Sequence, residues 1–176
     1  GFDFIEFGGP EHLQVQKVKI GPEKFKDLQN HLMLYFTGFS RIASQIAEHQ
    51  IKNIPNKGSE LKRMYELVFQ AREILNSGNI NQFGKLLHES WMIKRSLSDR
   101  ISNVHIDHLY KAARSAGAIG GKLLGAGGGG FLLLFAPPSK QKAIKEKLKK
   151  LLLVPFKFEN LGTQIIFYQP NGSYQK

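Results

Sequence analysis

Between Lys122-Leu123-Leu124 and Phe131-Leu132-Leu133-Leu134-Phe135 the chain carries Gly125-Ala126-Gly127-Gly128-Gly129-Gly130. Four glycines in a row remove every Cβ from a turn, open the left-handed backbone region to it and leave its N–H groups free to point inward. Such a turn can lie directly against a phosphate or against another stretch of backbone. A flexible linker is the plain alternative, but linkers are polar on both sides and this segment is flanked by apolar runs. Two common phosphate fingerprints do not fit. A Walker A loop needs G-x-x-x-x-G-K-[ST] opening a helix, and a dinucleotide site needs G-x-G-x-x-G after a strand with an acidic residue downstream.

The segments around the turn mix strands and helices. Gly1 to Phe7 alternates apolar and acidic side chains from Phe2 onward, and His12 to Ile20 alternates again after Gly8-Gly9-Pro10, which predicts a hairpin or two adjacent strands. His31 to Thr37 is a continuous apolar run, predicted as a strand covered on both faces. A helix is expected from Ser40 to Pro55, carrying Ile42, Ala43, Ile46 and Ala47 on one side. Three more follow, over Ser59 to Asn76, Asn79 to Leu97 and Asn103 to Ala116, and their apolar spacing predicts a helical layer on the sheet. Phe131 to Phe135 reads as a buried strand stopped by Pro137-Pro138, Ser139 as the cap of a lysine-rich helix, and Leu153 to Phe158 and Thr163 to Tyr168 as further strands. Without a strict βαβα rhythm the class is α+β, an antiparallel sheet with helices on one side. At 176 residues and 41% hydrophobic, the whole of 1–176 is expected to be one domain.

With no cysteine in the chain, disulfides, thiolate metal sites and cysteine nucleophiles are excluded. No apolar run approaches the roughly 20 residues of a membrane-spanning helix, and Gly1 to Phe7 lacks the marks of a signal peptide, so a cytoplasmic protein is expected. The formal charge of +11 favours anionic partners. Much of that charge lies in Lys140, Lys142, Lys145, Lys147, Lys149 and Lys150, around Ile144, Leu148 and Leu151 at helical spacing, as on a solvated helix face. A nucleic-acid groove would interleave aromatics with the charge, and none occurs between Phe135 and Phe156. A non-enzymatic anion-binding or nucleic-acid module remains the alternative from composition.

Lys122 to Phe131 resembles the third signature of the GHMP kinases, K-L-x-G-A-G-G-G-G-[CF], found in galactokinases, homoserine kinases, mevalonate kinases and phosphomevalonate kinases. GFDFIEFGG at the start, LYFTGFSR at Leu34 to Arg41, LLHESWMIKRSLSDRISN at Leu86 to Asn103 and IDHLYKAARSAGAIGGKLLGAGGGGF at Ile106 to Phe131 are similar to the branch acting on D-glycero-D-manno-heptose 7-phosphate. The resemblance implies a ferredoxin-like C-terminal domain with a helical layer. It further implies ATP as donor, Mg²⁺ carried chiefly by the nucleotide phosphates, and a heptose phosphate phosphorylated at its anomeric hydroxyl. Galactokinase- and fucokinase-like readings are the runners-up. Gly125, Ala126, Gly127, Gly128, Gly129 and Gly130 are then the candidates to lie beside the nucleotide phosphates.

The family's second signature and its acidic residue near the acceptor hydroxyl are absent from this chain. Asp3 and Glu6 are poor substitutes, because both alternate with core-type residues on a strand. No catalytic residue is therefore assigned here; those residues are expected upstream of Gly1, in an N-terminal half of the same kinase that would be a partner of this chain. Lacking an initiator methionine and opening on a strand, the chain is expected to be a fragment that is inactive alone.

Projection of Asn79 to Leu97 as a helix places Phe83, Leu87, Trp91 and Leu97 on one face with Lys94 in its middle. Either the lysine stem snorkels along that surface, or its ammonium points into the cleft where a sugar phosphate needs neutralising. Trp91, one turn earlier, is either core or a flat surface for the sugar, and Arg95 and Arg41 are further phosphate candidates. No metal site is expected: His105, Asp107 and His108 would be spread over different helix faces.

Overall fold

The computed structural model describes residues 2–9, 12–38, 43–159 and 161–167. Where the sequence reading takes 1–176 as one domain, the described chain packs as two compact units. One is Val18–Phe156; the smaller is made of Gly1–Lys17 with Lys157–Lys176.

In the smaller unit, β1 (Asp3–Phe7) and β2 (Leu13–Lys17) pair antiparallel, with Ile5 opposite Val15 and Phe7 opposite Leu13. Directly opposed residues share a face of the ribbon, and all four of these side chains are exposed, so the ribbon shows an uncovered apolar face. The expected second strand is shorter at both ends, running from Leu13 opposite Phe7 to Lys17 opposite Asp3. The strand expected over Thr163 to Tyr168 does not form within the described residues: Ile165, Ile166 and Phe167 are exposed and unpaired in any ladder, and Tyr168 lies outside those residues.

The larger unit runs α1 (Pro22–His31), β3 (Leu32–Phe36), α2 (Ala43–Asn53), α3 (Gly58–Asn76), α4 (Ile80–Ser96), α5 (Val104–Ser115), β4 (Gly120–Leu123), β5 (Phe131–Phe135), α6 (Pro138–Lys147) and β6 (Leu152–Val154). Its sheet has the order β4-β5-β3-β6 and every pair is antiparallel. Met33 lies opposite Leu134, Tyr35 opposite Leu132, and Leu132 opposite Leu123, so these residues form one face of the sheet. They are buried in one core with Trp91, Ile101, Ile106, Tyr110, Ala113 and Ile144 from the helices. On the other side Leu32, Leu34 and Phe36 are only half-buried, so β3 is not covered equally on both faces as its apolar run had suggested. The α+β class, a ferredoxin-like antiparallel sheet with a helical layer, holds.

Four local expectations are corrected. α1 was not foreseen: it opens on Pro22 and buries only Leu28 and His31, too few positions to leave a periodic signal. β4 was not foreseen either, since Gly-Gly-Lys-Leu has little strand preference and is held by its pairing with β5. β6 stops at Val154 because Pro155 has no N–H to continue a ladder. α6 begins at Pro138 with Pro137 as its cap, not at a Ser139 cap.

The contact that places α4 is backbone on backbone. A Cβ built on Gly120 of β4 would lie 1.8 Å from the carbonyl oxygen of Gly84 and 2.9 Å from the His88 nitrogen. A Cβ on Gly84 would in turn lie 2.5 Å from the Phe135 ring and 2.9 Å from Ile119. Neither position has room for a methyl group, and helix and strand touch where two glycines meet. Gly120→Ala should therefore destabilise the chain by about 2–4 kcal/mol in a urea melt. Gly58→Ala, at the open start of α3, should be neutral or stabilising by up to about 1 kcal/mol. Equal stability of the two variants would mean that the α4–β4 contact yields easily.

Candidate functional site

The link between β4 and β5 is the glycine-rich segment itself. Leu124 N–H donates to the Phe131 carbonyl at 2.8 Å and closes the hairpin, leaving residues 125–130 as the turn. Gly125, Gly127, Gly128 and Gly130 have φ of 70°, 125°, 76° and 100°. At Gly127 the need is also one of space, because a Cβ there would lie 2.7 Å from the Ile101 carbonyl oxygen.

Four elements hold this turn by its carbonyl oxygens. Gly125 accepts from Lys94 Nζ of α4. Ala126 accepts from Gln50 Nε2 of α2 at 2.9 Å, and Gly128 from Asn103 Nδ2 at 3.2 Å. Asn103 also caps α5, its Oδ1 accepting from Ile106 N–H at 3.0 Å. Gly130 accepts both from Thr37 N–H and from Thr37 Oγ1, each at 2.9 Å, just after β3.

The donors are distributed differently. Gly128 N–H donates to the Ile101 carbonyl at 2.8 Å. Among the described residues the N–H groups of Gly125, Ala126, Gly127, Gly129 and Gly130 donate to no protein acceptor. With four of its carbonyls tied back and five of its six N–H groups without an acceptor among the described residues, the turn presents backbone of positive polarity, which suits anionic oxygens.

Two lysines reinforce that sign. The Lys94 pKa is pushed down to about 8, first by burial and then by the nearby ammonium of Lys122, and burial also lowers Lys122. Among the described residues neither lysine forms an ion pair.

Other sequence candidates lie elsewhere. Trp91 is fully buried, 6.3 Å from the Tyr110 ring, which puts it in the core and leaves no ring face for a sugar. Arg95 sits over Trp91 at 5.9 Å and is committed to Asp107 at 2.8 Å, while Asp107 also accepts from Ser102 Oγ at 2.6 Å. Its guanidinium is thus occupied by a carboxylate rather than held free for a phosphate. Arg41 lies outside the described residues. No group of three His, Asp or Glu side chains stands together among the described residues. An open 880 Å³ groove between α1 and the α3–α4 connection is lined by none of the turn residues.

Sequence reasoning missed Gln50, Thr37, Asn103 and Lys122 as parts of this site. Lys122 stood at the start of the glycine signature and Asn103 at a helix start, so both were visible without their role. Gln50 carried no signal, since its partner is 76 residues away.

Residues 71–152 match the family model described as GHMP kinases C terminal. The chain is 31% identical over 153 residues to the D-glycero-alpha-D-manno-heptose 7-phosphate kinase of Campylobacter jejuni, covering 85% of this chain and 45% of that protein. It is 30% identical over 148 residues to the bifunctional fucokinase/GDP-fucose pyrophosphorylase of Arabidopsis thaliana, covering 81% of this chain and 14% of that protein. In fold it is similar to the L. major mevalonate kinase solved with R-mevalonate, with a TM-score of 0.64 and 21% identity over 80% of this chain and 44% of that one. The chain thus spans less than half the length of the relatives it matches. No helix among the described residues is long and apolar enough to cross a membrane.

Burial of Lys94 has a measurable consequence. A lysine whose folded pKa is about 8 binds its proton less readily than in the unfolded chain, where the value is about 10.4. The unfolded state therefore holds more protons across that interval, and stability should rise with pH from about 8 to about 10. Beyond that, Tyr35 and Tyr110, both pushed up to about 12 by burial, act in the opposite direction. Urea melts across this range should show the rise, flattened in Lys94→Met; an equal slope in both proteins would place the Lys94 ammonium in water.

Proposed function

We propose that this chain is the C-terminal part of an ATP-dependent sugar kinase, and that its acceptor is D-glycero-D-manno-heptose 7-phosphate, phosphorylated at the anomeric hydroxyl. The observation that carries the reading is the meeting of Lys94 with the glycine turn. A cation from the helical layer is bonded to the first carbonyl of a turn most of whose N–H groups have no acceptor among the described residues. Phosphoryl transfer needs little covalent chemistry from the protein; it needs the donor phosphates and the acceptor held in line and their charge neutralised. The turn residues Gly125, Ala126, Gly127, Gly128, Gly129 and Gly130 would lie beside the ATP phosphates, and Lys94 would neutralise the phosphate of the sugar.

The catalytic acid–base residue is assigned to the N-terminal half of the same kinase, which is the proposed protein partner, and the chain by itself is proposed to be inactive. The uncovered apolar face of the β1–β2 ribbon supports such a partner, because a lone two-stranded ribbon is at best marginally stable in water. Any Mg²⁺ is assigned to the nucleotide and to that half, in keeping with the lack of a carboxylate cluster among the described residues. A cytoplasmic location suits a kinase of phosphorylated metabolites.

The similarity to a fucokinase favours a second reading, a kinase of an unphosphorylated sugar. The two differ at Lys94, which has a role in substrate binding only if the acceptor carries a charge. In the assembled kinase, Lys94→Met keeps most of the apolar stem and removes the ammonium. The KM for the heptose phosphate should rise roughly ten- to a hundredfold with that for ATP little changed, from the loss of a charge-assisted contact of about 1.5–3 kcal/mol. An unchanged KM alongside an intact fold would make Lys94 structural and favour the uncharged acceptor.

A further inference from the structure

α4 and β4 run side by side in the same direction. Gly84 touches Gly120 at one end, and at the other Lys94 reaches the Gly125 carbonyl. The ten residues from Gly84 to Lys94 rise about 15 Å along the helix, and the five from Gly120 to Gly125 about 16 Å along an extended chain, so the two contacts are in step. Lys122 falls between them. It is two residues from Gly120, so it projects to the same side of the strand as Gly120, whose Cβ direction points at the α4 backbone. There it is half-buried and, like Lys94, forms no ion pair among the described residues; nor does its ammonium donate a hydrogen bond to any of them.

Two part-buried ammonium groups on facing elements, neither paired with a carboxylate among the described residues, cost stability that an anionic partner would offset. Surface lysines avoid that cost by extending into water; these two are part-buried on the elements that lead to the turn, five of whose N–H groups have no acceptor among the described residues. An anion is the partner whose charge offsets both. A phosphate ester suits the pair in magnitude, because it carries a charge of about −1.5 to −2 near neutral pH and several strong acceptor oxygens. We propose that Lys122 and Lys94 together form a two-cation seat for a phosphate dianion beside the glycine turn, with Lys122 a binding residue in its own right. The seat belongs to the site described above, and the proposal depends on the kinase reading only for the source of the phosphate.

Inorganic phosphate is the probe. It is titrated into the 176-residue chain while the Cε–Hε signals of both lysines are followed by NMR. Both sets of signals should move with one dissociation constant. Lys122→Met should weaken that constant about tenfold, the loss expected for one charge-assisted contact, and Lys122→Arg should keep it within about threefold. Should the methionine variant fail to fold, the arginine variant and the Lys122 signal of the parent chain still decide. The inference is overturned if Lys122 does not respond to phosphate, if only Lys94 does, or if Lys122→Met binds as well as the parent. In the assembled kinase, a raised KM for the sugar phosphate in Lys122→Met assigns the seat to the acceptor, and a raised KM for ATP assigns it to the nucleotide. Phosphate binding that depends on both lysines, in a kinase that does not accept a phosphorylated sugar, would remove the heptose phosphate assignment and leave the seat in place.

Discussion

Everything at the site depends on how closely α4 approaches β4. The Gly84 carbonyl occupies the space where a side chain on Gly120 would begin, so helix and edge strand meet with no side chains between them. That contact sets the height of the helix against the sheet, and the next two to three turns carry the consequence: Trp91 enters the core, and Lys94 arrives at the level of Gly125. A helix displaced outward by one methyl group would leave Lys94 short of the turn. Specificity in this domain therefore rests first on two absent side chains, and only then on the lysine that the absence brings into reach.

The turn follows the same economy. Its carbonyls are bound by α2, α4, the Asn103 cap and Thr37, four separate parts of the fold, and most of its N–H groups have no acceptor among the described residues. A turn anchored this way is held in place from four sides, as the proposed site for developing negative charge requires. It also has a cost. Lys94 and Lys122 are buried enough to hold their protons loosely, yet neither is paired with a carboxylate among the described residues, and a more stable chain would have apolar side chains there. Local loss of stability around perturbed titratable groups is a recurring mark of function, and it fits the anion site proposed here.

How much of this was readable from sequence depended on whether the information was local. The glycine run was legible because its composition dictates its geometry: Gly127 sits where any side chain would strike the Ile101 backbone. Lys94 was legible because the apolar repeat of α4 put a cation on a buried face. The helical layer followed from periodicity, and so did the β3 and β5 strands. What was not legible was set by distant partners. Nothing local marks Gln50 as an anchor of Ala126, or Gly-Gly-Lys-Leu as a strand, or Lys122 as the neighbour of Lys94. Trp91 and Arg95 were misplaced as binding candidates for a related reason: the helical projection gave their side of α4 correctly, but not that Tyr110 would cover the one and Asp107 engage the other.

The central claim is that the α4–β4 contact delivers lysine charge to the open N–H groups of the glycine turn so that phosphate is held between them. A crystal structure of the chain assembled with its N-terminal half, bound to the phosphorylated sugar and a non-hydrolysable ATP analogue, tests that most directly. The account predicts a phosphate oxygen within hydrogen-bonding distance, about 2.7–3.2 Å, of Lys94 Nζ, and phosphate oxygens facing the N–H groups of residues 125–130. A sugar phosphate bound elsewhere, with Lys94 still donating only to Gly125 and the turn N–H groups facing no phosphate, would contradict it.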